Sequence, residues 1–368
     1  MRILNIIQCA NLGGMEQSSL RLMRALQMRG HSLQLISLNP IAGLGPLLCQ
    51  AGIQACGLEY TNVGWARTSL KLRRLVADSD ADALILTGHN LPATMALLGV
   101  GPKRKLYAVH YHHQGVMPSW RWRLIYRMAL LVFQTITFPS DYVRREAEAI
   151  CPSIAAIAET VRNPLEMPPL PLKLQSSALR ARYGIPPDAP VVGNAGWLIG
   201  RKRFDVFLRV AAKIHLVHPN IHFLIAGDGN ERRALEVLAS ELGLSKVTHF
   251  TGWLSDLDPF YAAIDVLLFN SDWDCFGNTP VEAMARAIPV VASVLHGGLL
   301  EVIDDRNGWL MDKHDEDILC SNVLDALGPD GKLRAAVARR MVCEVSNPHS
   351  IAERIEQKLS SSYIRSNF

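Results

Sequence analysis

The chain lacks any apolar run of the roughly 18 to 20 residues that a helix needs to cross a bilayer. The longest candidate, Leu124 to Phe138, is broken by Arg127 and Gln134. Cysteine is sparse and scattered, with seven residues at positions 9, 49, 56, 151, 275, 320 and 343 and no Cys-x-x-Cys pair. That excludes a small disulfide scaffold, offers no zinc or redox motif, and fits a reduced compartment. There is no low-complexity tract, no internal repeat of short period, and no Gly-x-Gly-x-x-Gly dinucleotide fingerprint. The opening residues, Met1-Arg2-Ile3-Leu4-Asn5-Ile6-Ile7, are too short and polar for a signal peptide and read as a first strand.

What is present is a chain of 368 residues, 49% hydrophobic and 20% charged, enough for two domains with sizeable cores. Short β-rich apolar runs alternate with amphipathic helical stretches throughout. Strands are expected at 2–8, 33–37, 83–87, 105–110, 134–138 and 156–161 in the first half. In the second half they are expected at 190–195, 221–226, 247–251, 264–269, 288–292 and 308–311, with helices between, including 279–287 and 298–303. This order argues for parallel sheets covered on both faces. The pattern breaks at Asn163 to Leu172, where Pro164, Pro168, Pro169 and Pro171 mark a stiff connector. Two doubly wound domains follow, spanning 1–165 and 166–349. Ligands in such sheets bind beyond the carboxyl ends of the strands, which places a site in a cleft between two facing domains. The net charge is +4, distributed unevenly. Residues 1–165 hold 17 Lys and Arg against 9 Asp and Glu, and the remainder hold 21 against 25. The imbalance is either ordinary drift or a first half that faces something anionic, such as a lipid surface or a phosphate-bearing acceptor.

Four segments carry candidate chemistry. The first strand runs into Gly13-Gly14-Met15-Glu16 and a helix. Glycines at such a turn let backbone amides approach a phosphate or sugar, or serve turn geometry alone. In Asp274-Cys275-Phe276-Gly277-Asn278-Thr279-Pro280-Val281-Glu282, Thr279 suits an N-cap and Pro280 the first helical position. The amides of Phe276, Gly277 and Asn278 can then bind a diphosphate, and Glu282, in the first turn, can accept hydrogen bonds from ribose hydroxyls; otherwise Glu282 merely complements the helix dipole and Asp274 is solvated. Gly297-Gly298-Leu299-Leu300-Glu301 reads as a second glycine turn opening a helix. Arg201, Lys202 and Arg203, between a strand and a helix, suit pyrophosphate neutralisation, or form a solvated basic loop.

Taken together, these segments resemble the retaining glycosyltransferases of the GT-B fold, family 4 (glycosyl transferases group 1). The likeness runs nearly end to end. It includes Gly13-Gly14-x-Glu16, His110, Ser140, Asn163, Lys202-Arg203-Phe204-Asp205 and Gly227-Asp228-Gly229. It continues through Gly252-Trp253-Leu254-Ser255-Asp256, the acidic pair Asp274 and Glu282, and Gly297-Gly298-x-x-Glu301. The resemblance implies that Glu282 binds the nucleotide ribose, that Asp274 faces the donor sugar, and that Lys202 contacts the diphosphate. It implies that Gly13, Gly14, Phe276, Gly277 and Asn278 lie against phosphate or sugar, that the donor-binding Gly227 lies in a loop that bears on the choice of base, and that His110 lies by the anomeric carbon. It also implies that a terminal helix, within 350–368, crosses back onto the first domain. Two positions depart from the pattern. Asp274 stands where the family usually has Glu, and Trp197 stands where it usually has Arg. Arg201 or Arg203 is expected to supply the missing cation.

The implied reaction is transfer of a sugar from a nucleotide donor, UDP- or GDP-linked, to a hydroxyl of a glycan or lipid-linked acceptor. The setting is surface polysaccharide or lipopolysaccharide assembly in the cytoplasm. No cofactor, metal or nucleic acid is expected. His110 and His112 share a strand face and His113 does not, a poor metal set. A nucleotide-sugar epimerase and a non-catalytic nucleotide- or partner-binding protein are the alternatives. The helix over Ser119 to Arg127 mixes tryptophan and arginine. It is either an ordinary sheet-covering helix or an interfacial one that brings the basic first domain to the inner membrane.

Overall fold

Every strand pairing among the described residues is parallel. The computed structural model describes residues 1–60, 64–88, 90–100, 105–109, 117–168, 170 and 173–360. Thirteen strands are described: β1 (Arg2–Ile7), β2 (Ser32–Ser37), β3 (Gln54–Gly57), β4 (Ala83–Thr87), β5 (Lys105–Val109), β6 (Thr135–Phe138), β7 (Ala158–Thr160), β8 (Val191–Ala195), β9 (His222–Ala226), β10 (Thr248–Gly252), β11 (Val266–Asp274), β12 (Val290–Gly297) and β13 (Trp309–Met311). They form two sheets, ordered β3-β2-β1-β4-β5-β6-β7 and β10-β9-β8-β11-β12-β13. The central strands are buried on both faces, as in the run Val266-Leu267-Leu268-Phe269, because right-handed crossovers lay helices on each side. Each sheet is therefore doubly wound, and the fold is α/β with two Rossmann-like domains.

The chain divides into two compact units, Met1–Glu166 with Ser346–Phe368, and Met167–Val345. The first crossing thus falls among the prolines after Asn163. Unit one is closed by the helix Pro348–Ser360, which repeats buried residues at Ile351, Ile355 and Leu359 and packs on the helix Gly14–Met28. That i, i+4, i+8 spacing puts all three side chains on one face. Arg29 pairs with Glu356 at 2.5 Å, and Arg354 (3.2 Å) and Lys358 both pair with Glu159. Burial of the three aliphatic side chains contributes about 5 kcal/mol as an upper estimate, so apolar contact outweighs these half-exposed ion pairs.

Several elements differ from the sequence reading. β3 was not expected. All four of its residues are exposed, so it carries no apolar alternation and exists through its pairing with β2. The short helices Gly45–Gln50 and Asp258–Ala263 likewise lacked a periodic signal. The turn at Gly297-Gly298 opens no α-helix. β12 runs through Gly297, and a four-residue 3₁₀ turn, Gly298–Glu301, follows. The expected second helix N-terminus is absent there.

At the amino ends of β9 and β10, His222 and His249 stack at 5.3 Å with Nδ1 and Nε2 3.0 Å apart. Burial, and then the neighbouring His222, push His249 down to about 4 from the usual 6.5. Burial, and then Arg180 and His215, lower His222 as well. The unfolded chain binds these protons first, so the stability of unit two is full above pH 6.5 and is lost as pH falls towards 4. Thermal melts from pH 7.5 to 4 should show this decline, and His249→Phe should flatten it. An unchanged slope in that variant would assign the acid sensitivity to other groups.

Candidate active site

The order of the second sheet reverses between β8 and β11, leaving a crevice at their carboxyl ends. Two loops rise from that point. After β8 come Gly196 to Ile199, a 3₁₀ turn over Gly200–Lys202, and Arg203, whose left-handed backbone (φ 44°) swings the chain into the helix Phe204–Val217. After β11 come Cys275 to Gly277 and the helix Asn278–Ala285. Thr279 does not cap that helix. Gly277, left-handed at φ 80°, occupies the cap position, and the Thr279 hydroxyl donates to the Ala195 carbonyl at 3.1 Å, tying the helix to the end of β8. Because the helix starts at Asn278, Glu282 lies just beyond the first turn rather than in it.

Lys202 and Asp274 meet across the crevice. The Lys202 ammonium pairs with Asp274 Oδ2 and sits 4.7 Å above the Phe269 ring. Both side chains are 14% exposed. Asp274 Oδ1 accepts from the Gly277 amide at 2.8 Å and the Phe276 amide at 3.3 Å. Burial opposes ionisation of Asp274, but Lys202, Arg201 and the Gly277 amide outweigh it and hold the carboxyl below its usual range. Two of the amides expected to meet a phosphate, those of Phe276 and Gly277, thus donate to this carboxylate.

Glu282 is nearly buried. Its Oε2 accepts from the Tyr261 hydroxyl at 2.9 Å, and that hydroxyl also lies 3.3 Å from the Thr279 carbonyl. Arg286 donates to the Glu282 carbonyl at 2.9 Å and lies over the Tyr261 ring at 4.5 Å. Nothing in the sequence marks Tyr261, since a tyrosine 21 residues away in a short helix gives no periodic cue.

The two arginines flanking Lys202 separate in role. Arg201 donates to the Trp273 carbonyl at 2.9 Å beside Asp274. Arg203 is engaged by Asp205 at 3.0 and 3.1 Å and by Asp272 at 3.1 Å, and these bonds, Asp205 first, raise its pKa further. Asp272 also meets His314 Nε2 at 3.1 Å, whose Nδ1 is 2.7 Å from Ser293 Oγ. Arg203 is therefore a brace between the loop and β11, and of the two arginines Arg201 is the one that lies beside Asp274. Asp272 precedes Asp274 by two residues on a strand that runs longer than expected. Extending the strand would have put both on one face. Trp197, 45% exposed, packs on Trp253 with ring centroids 4.5 Å apart. Gly227 has a packing reason of its own. At φ 143°, a Cβ there would come within 1.8 Å of the Gly196 carbonyl oxygen, so the loops after β8 and β9 need glycine to touch.

In unit one, the corresponding reversal lies between β1 and β4. Gly13 caps the helix Gly14–Met28, and the buried Glu16 folds back over it, so that a Cβ on Gly13 would meet Glu16 Oε2 at 2.4 Å. Glu16 Oε1 accepts from the Cys9 thiol at 2.9 Å. Burial first, and then Glu16, push Cys9 up to about 12, so it stays a neutral donor. A carboxylate over this helix end suits hydroxyl groups better than phosphate. His110, with His112 and His113, lies outside the described residues.

Removing one partner of the Lys202–Asp274 pair leaves a largely buried charge uncompensated. Lys202→Met and Asp274→Asn should each lower the unfolding free energy by about 2 to 4 kcal/mol, and the double variant should recover part of that loss. Urea unfolding of the three variants measures the coupling. Additive losses would show that the pair is not coupled.

Family models match side by side: Glycosyltransferase Family 4 over residues 12–164 and Glycosyl transferases group 1 over residues 175–340. A lipopolysaccharide core biosynthesis glycosyltransferase, LpsE of Rhizobium meliloti, is 34% identical over 161 residues, covering 44% of this chain and 46% of that protein. A GDP-mannose-dependent α-(1-6)-phosphatidylinositol monomannoside mannosyltransferase of Mycolicibacterium smegmatis is 28% identical over 284 residues, 70% of each chain. The matches thus span less than half the length of the Rhizobium relative and more of the mycobacterial one. The crystal structure of Anabaena HepE in complex with UDP and glucose superposes with a TM-score of 0.83 over 98% of this chain and 100% of its own, at 20% identity. That likeness fixes the fold as GT-B. The two models take one domain each, and the chain belongs to the GT-B glycosyltransferases of the family 4 type.

Proposed function

We propose that the chain transfers a hexose from a UDP- or GDP-sugar to a hydroxyl of a glycan or lipid-linked acceptor, with retained anomeric configuration. The setting is lipopolysaccharide core or related surface-polysaccharide assembly at the cytoplasmic face of the membrane. The observation that carries this reading is the crevice between β8 and β11, where the Lys202–Asp274 pair and Arg201 stand at the loop that leads into the helix bearing Glu282. A diphosphate entering there takes the Lys202 ammonium over from Asp274. The released carboxylate then accepts from sugar hydroxyls, and the Phe276 and Gly277 amides it vacates turn to phosphate oxygens. When the bond from the anomeric carbon to the phosphate oxygen breaks, charge grows on the diphosphate, and Lys202 and Arg201 stabilise it without a metal ion. Glu282, oriented by Tyr261, takes the ribose hydroxyls. In unit one, the Gly13-Gly14 turn and Glu16 take hydroxyl-bearing groups. The LpsE likeness supports the lipopolysaccharide setting, and the UDP and glucose bound by HepE support the donor class.

Trp197 in place of arginine favours one second reading, a protein that binds the nucleotide without turnover. A thermal-shift panel of UDP, GDP, ADP and their sugars should stabilise the protein with one nucleotide class. Glu282→Gln should weaken that donor about tenfold or more, and Tyr261→Phe by a smaller factor. No shift with any nucleotide sugar would refute donor binding. A shift without transfer or hydrolysis of labelled donor would favour the second reading.

A further inference from the structure

We propose that His314 is a positioning residue, which fixes the loop carrying Arg201 and Lys202 by way of Asp272 and Arg203. This deepens the proposed function and rests on it only for the identity of the ligand, a diphosphate.

The residue after Lys202 holds a conformation that any side chain disfavours. Arg203 is left-handed at φ 44°. Such a residue persists where its surroundings hold it. Here its own guanidinium makes the attachments, two to Asp205 and one, at 3.1 Å, to Asp272 Oδ1. Asp205 lies two residues along the same segment and moves with it. Asp272 belongs to β11 and fastens Arg203 to the sheet.

Asp272 lies near the end of that strand with its side chain 41% exposed, and a carboxylate so placed would otherwise turn to water. His314, 9% exposed, holds it in. Its Nε2 lies 3.1 Å from the same Oδ1. The carboxylate only accepts, so Nε2 carries the hydrogen. In the uncharged ring Nδ1 then accepts from the Ser293 hydroxyl 2.7 Å away, and the Ser293 oxygen accepts from Asn270 Nδ2 at 2.7 Å. Asn270 and Ser293 are fully buried and face each other in the β11–β12 register. On the other side of His314, Asp315 caps the helix Glu316–Leu327 through the Ile318 amide at 3.1 Å, which fixes the backbone there. The series thus runs from two packed strands, through a held ring, to a half-exposed carboxylate and then to the arginine.

Serine, histidine and aspartate also make up nucleophilic triads. Ser293 is fully buried and its oxygen already takes the Asn270 amide, so no substrate reaches it. What the series can do is hold geometry. Lys202 adjoins Arg203, and Asp274 lies two residues beyond Asp272, so both partners of the central ion pair stand next to residues fixed from one anchor. The helix bearing Glu282 is tied elsewhere, by Thr279 and Tyr261. His314 therefore governs the phosphate contacts and leaves the ribose contact alone.

The test compares the unmodified chain with His314→Phe and with Ser293→Ala, a smaller change that releases the ring; melting temperatures verify folding. The amides of Lys202 and Arg203 close the 3₁₀ turn on the Ile199 and Gly200 carbonyls, at 2.9 and 3.1 Å. Their hydrogen exchange should quicken about tenfold in His314→Phe and less in Ser293→Ala, with the helix Asn278–Ala285 unchanged. In calorimetry with UDP against uridine, and GDP against guanosine, the bound diphosphate should weaken about tenfold and its nucleoside should not. The loss is partial because Ser271 still holds the Arg201 carbonyl at 3.2 Å. Arg203→Gly relieves the left-handed backbone and removes the link, so adding His314→Phe to it should change neither readout further. Unchanged exchange at the turn, equal losses for diphosphate and nucleoside, or a full His314→Phe effect in the Arg203→Gly background would overturn the proposal. If the unmodified protein binds none of the four ligands, donor binding is refuted, and the exchange rates decide the role of His314 by themselves.

Discussion

A lysine and an aspartate taken largely out of water must find each other or carry a penalty of several kcal/mol. In this chain that constraint organises the second unit. Lys202 reaches Asp274 across the sheet's reversal, and the other oxygen of Asp274 gathers the amides of Phe276 and Gly277. One carboxylate therefore sets the conformation of a loop, the start of the helix that bears Glu282, and the position of the main cation. The remaining contacts defend this arrangement. Thr279 ties the helix to β8, Arg203 ties the other loop to Asp272 and Asp205, and Tyr261 fixes Glu282. The pocket's charges thus satisfy one another: the ammonium and the two amides all converge on one carboxylate.

The two units divide the chemistry by sign. Unit two offers an ammonium and a guanidinium beside carboxylates at its strand reversal. Unit one places at its own reversal a glycine turn, a buried Glu16 and a neutral Cys9 thiol. Phosphate favours the first environment and sugar hydroxyls suit the second. A shared architecture thus holds two chemically distinct ends, each built where a doubly wound sheet leaves room.

Much of this was legible in residue order. Buried parallel strands show as unbroken apolar runs bounded by turn residues, as Val290-Val291-Ala292 and Leu84-Ile85-Leu86 do. The acidic pair and the basic loop also stood out by type and spacing. The features that escaped depend on tertiary partners. β3 has no buried face, so only β2 defines it. Thr279 looks like a cap, yet its hydroxyl goes to Ala195, 84 residues away, because a left-handed glycine takes the cap position. Arg203 reads as one of three equivalent cations, and only the fold shows it facing Asp205 and Asp272. Local pattern identifies elements and chemical types, and the pairing of charges follows from which strand ends lie side by side.

The helix Pro348–Ser360 has a consequence for how the protein is made. Its apolar face completes a core whose other members, among them Leu22, Leu26 and Ile85, are translated some three hundred residues earlier. Unit two is contiguous in sequence and has all of its parts once Val345 has left the ribosome. The first half of the chain to be synthesised is thus the last to be sealed. Until then its strands wait with part of their greasy side uncovered, a natural point for a chaperone to act and for a nonsense mutation near the 3′ end to damage the domain encoded at the 5′ end.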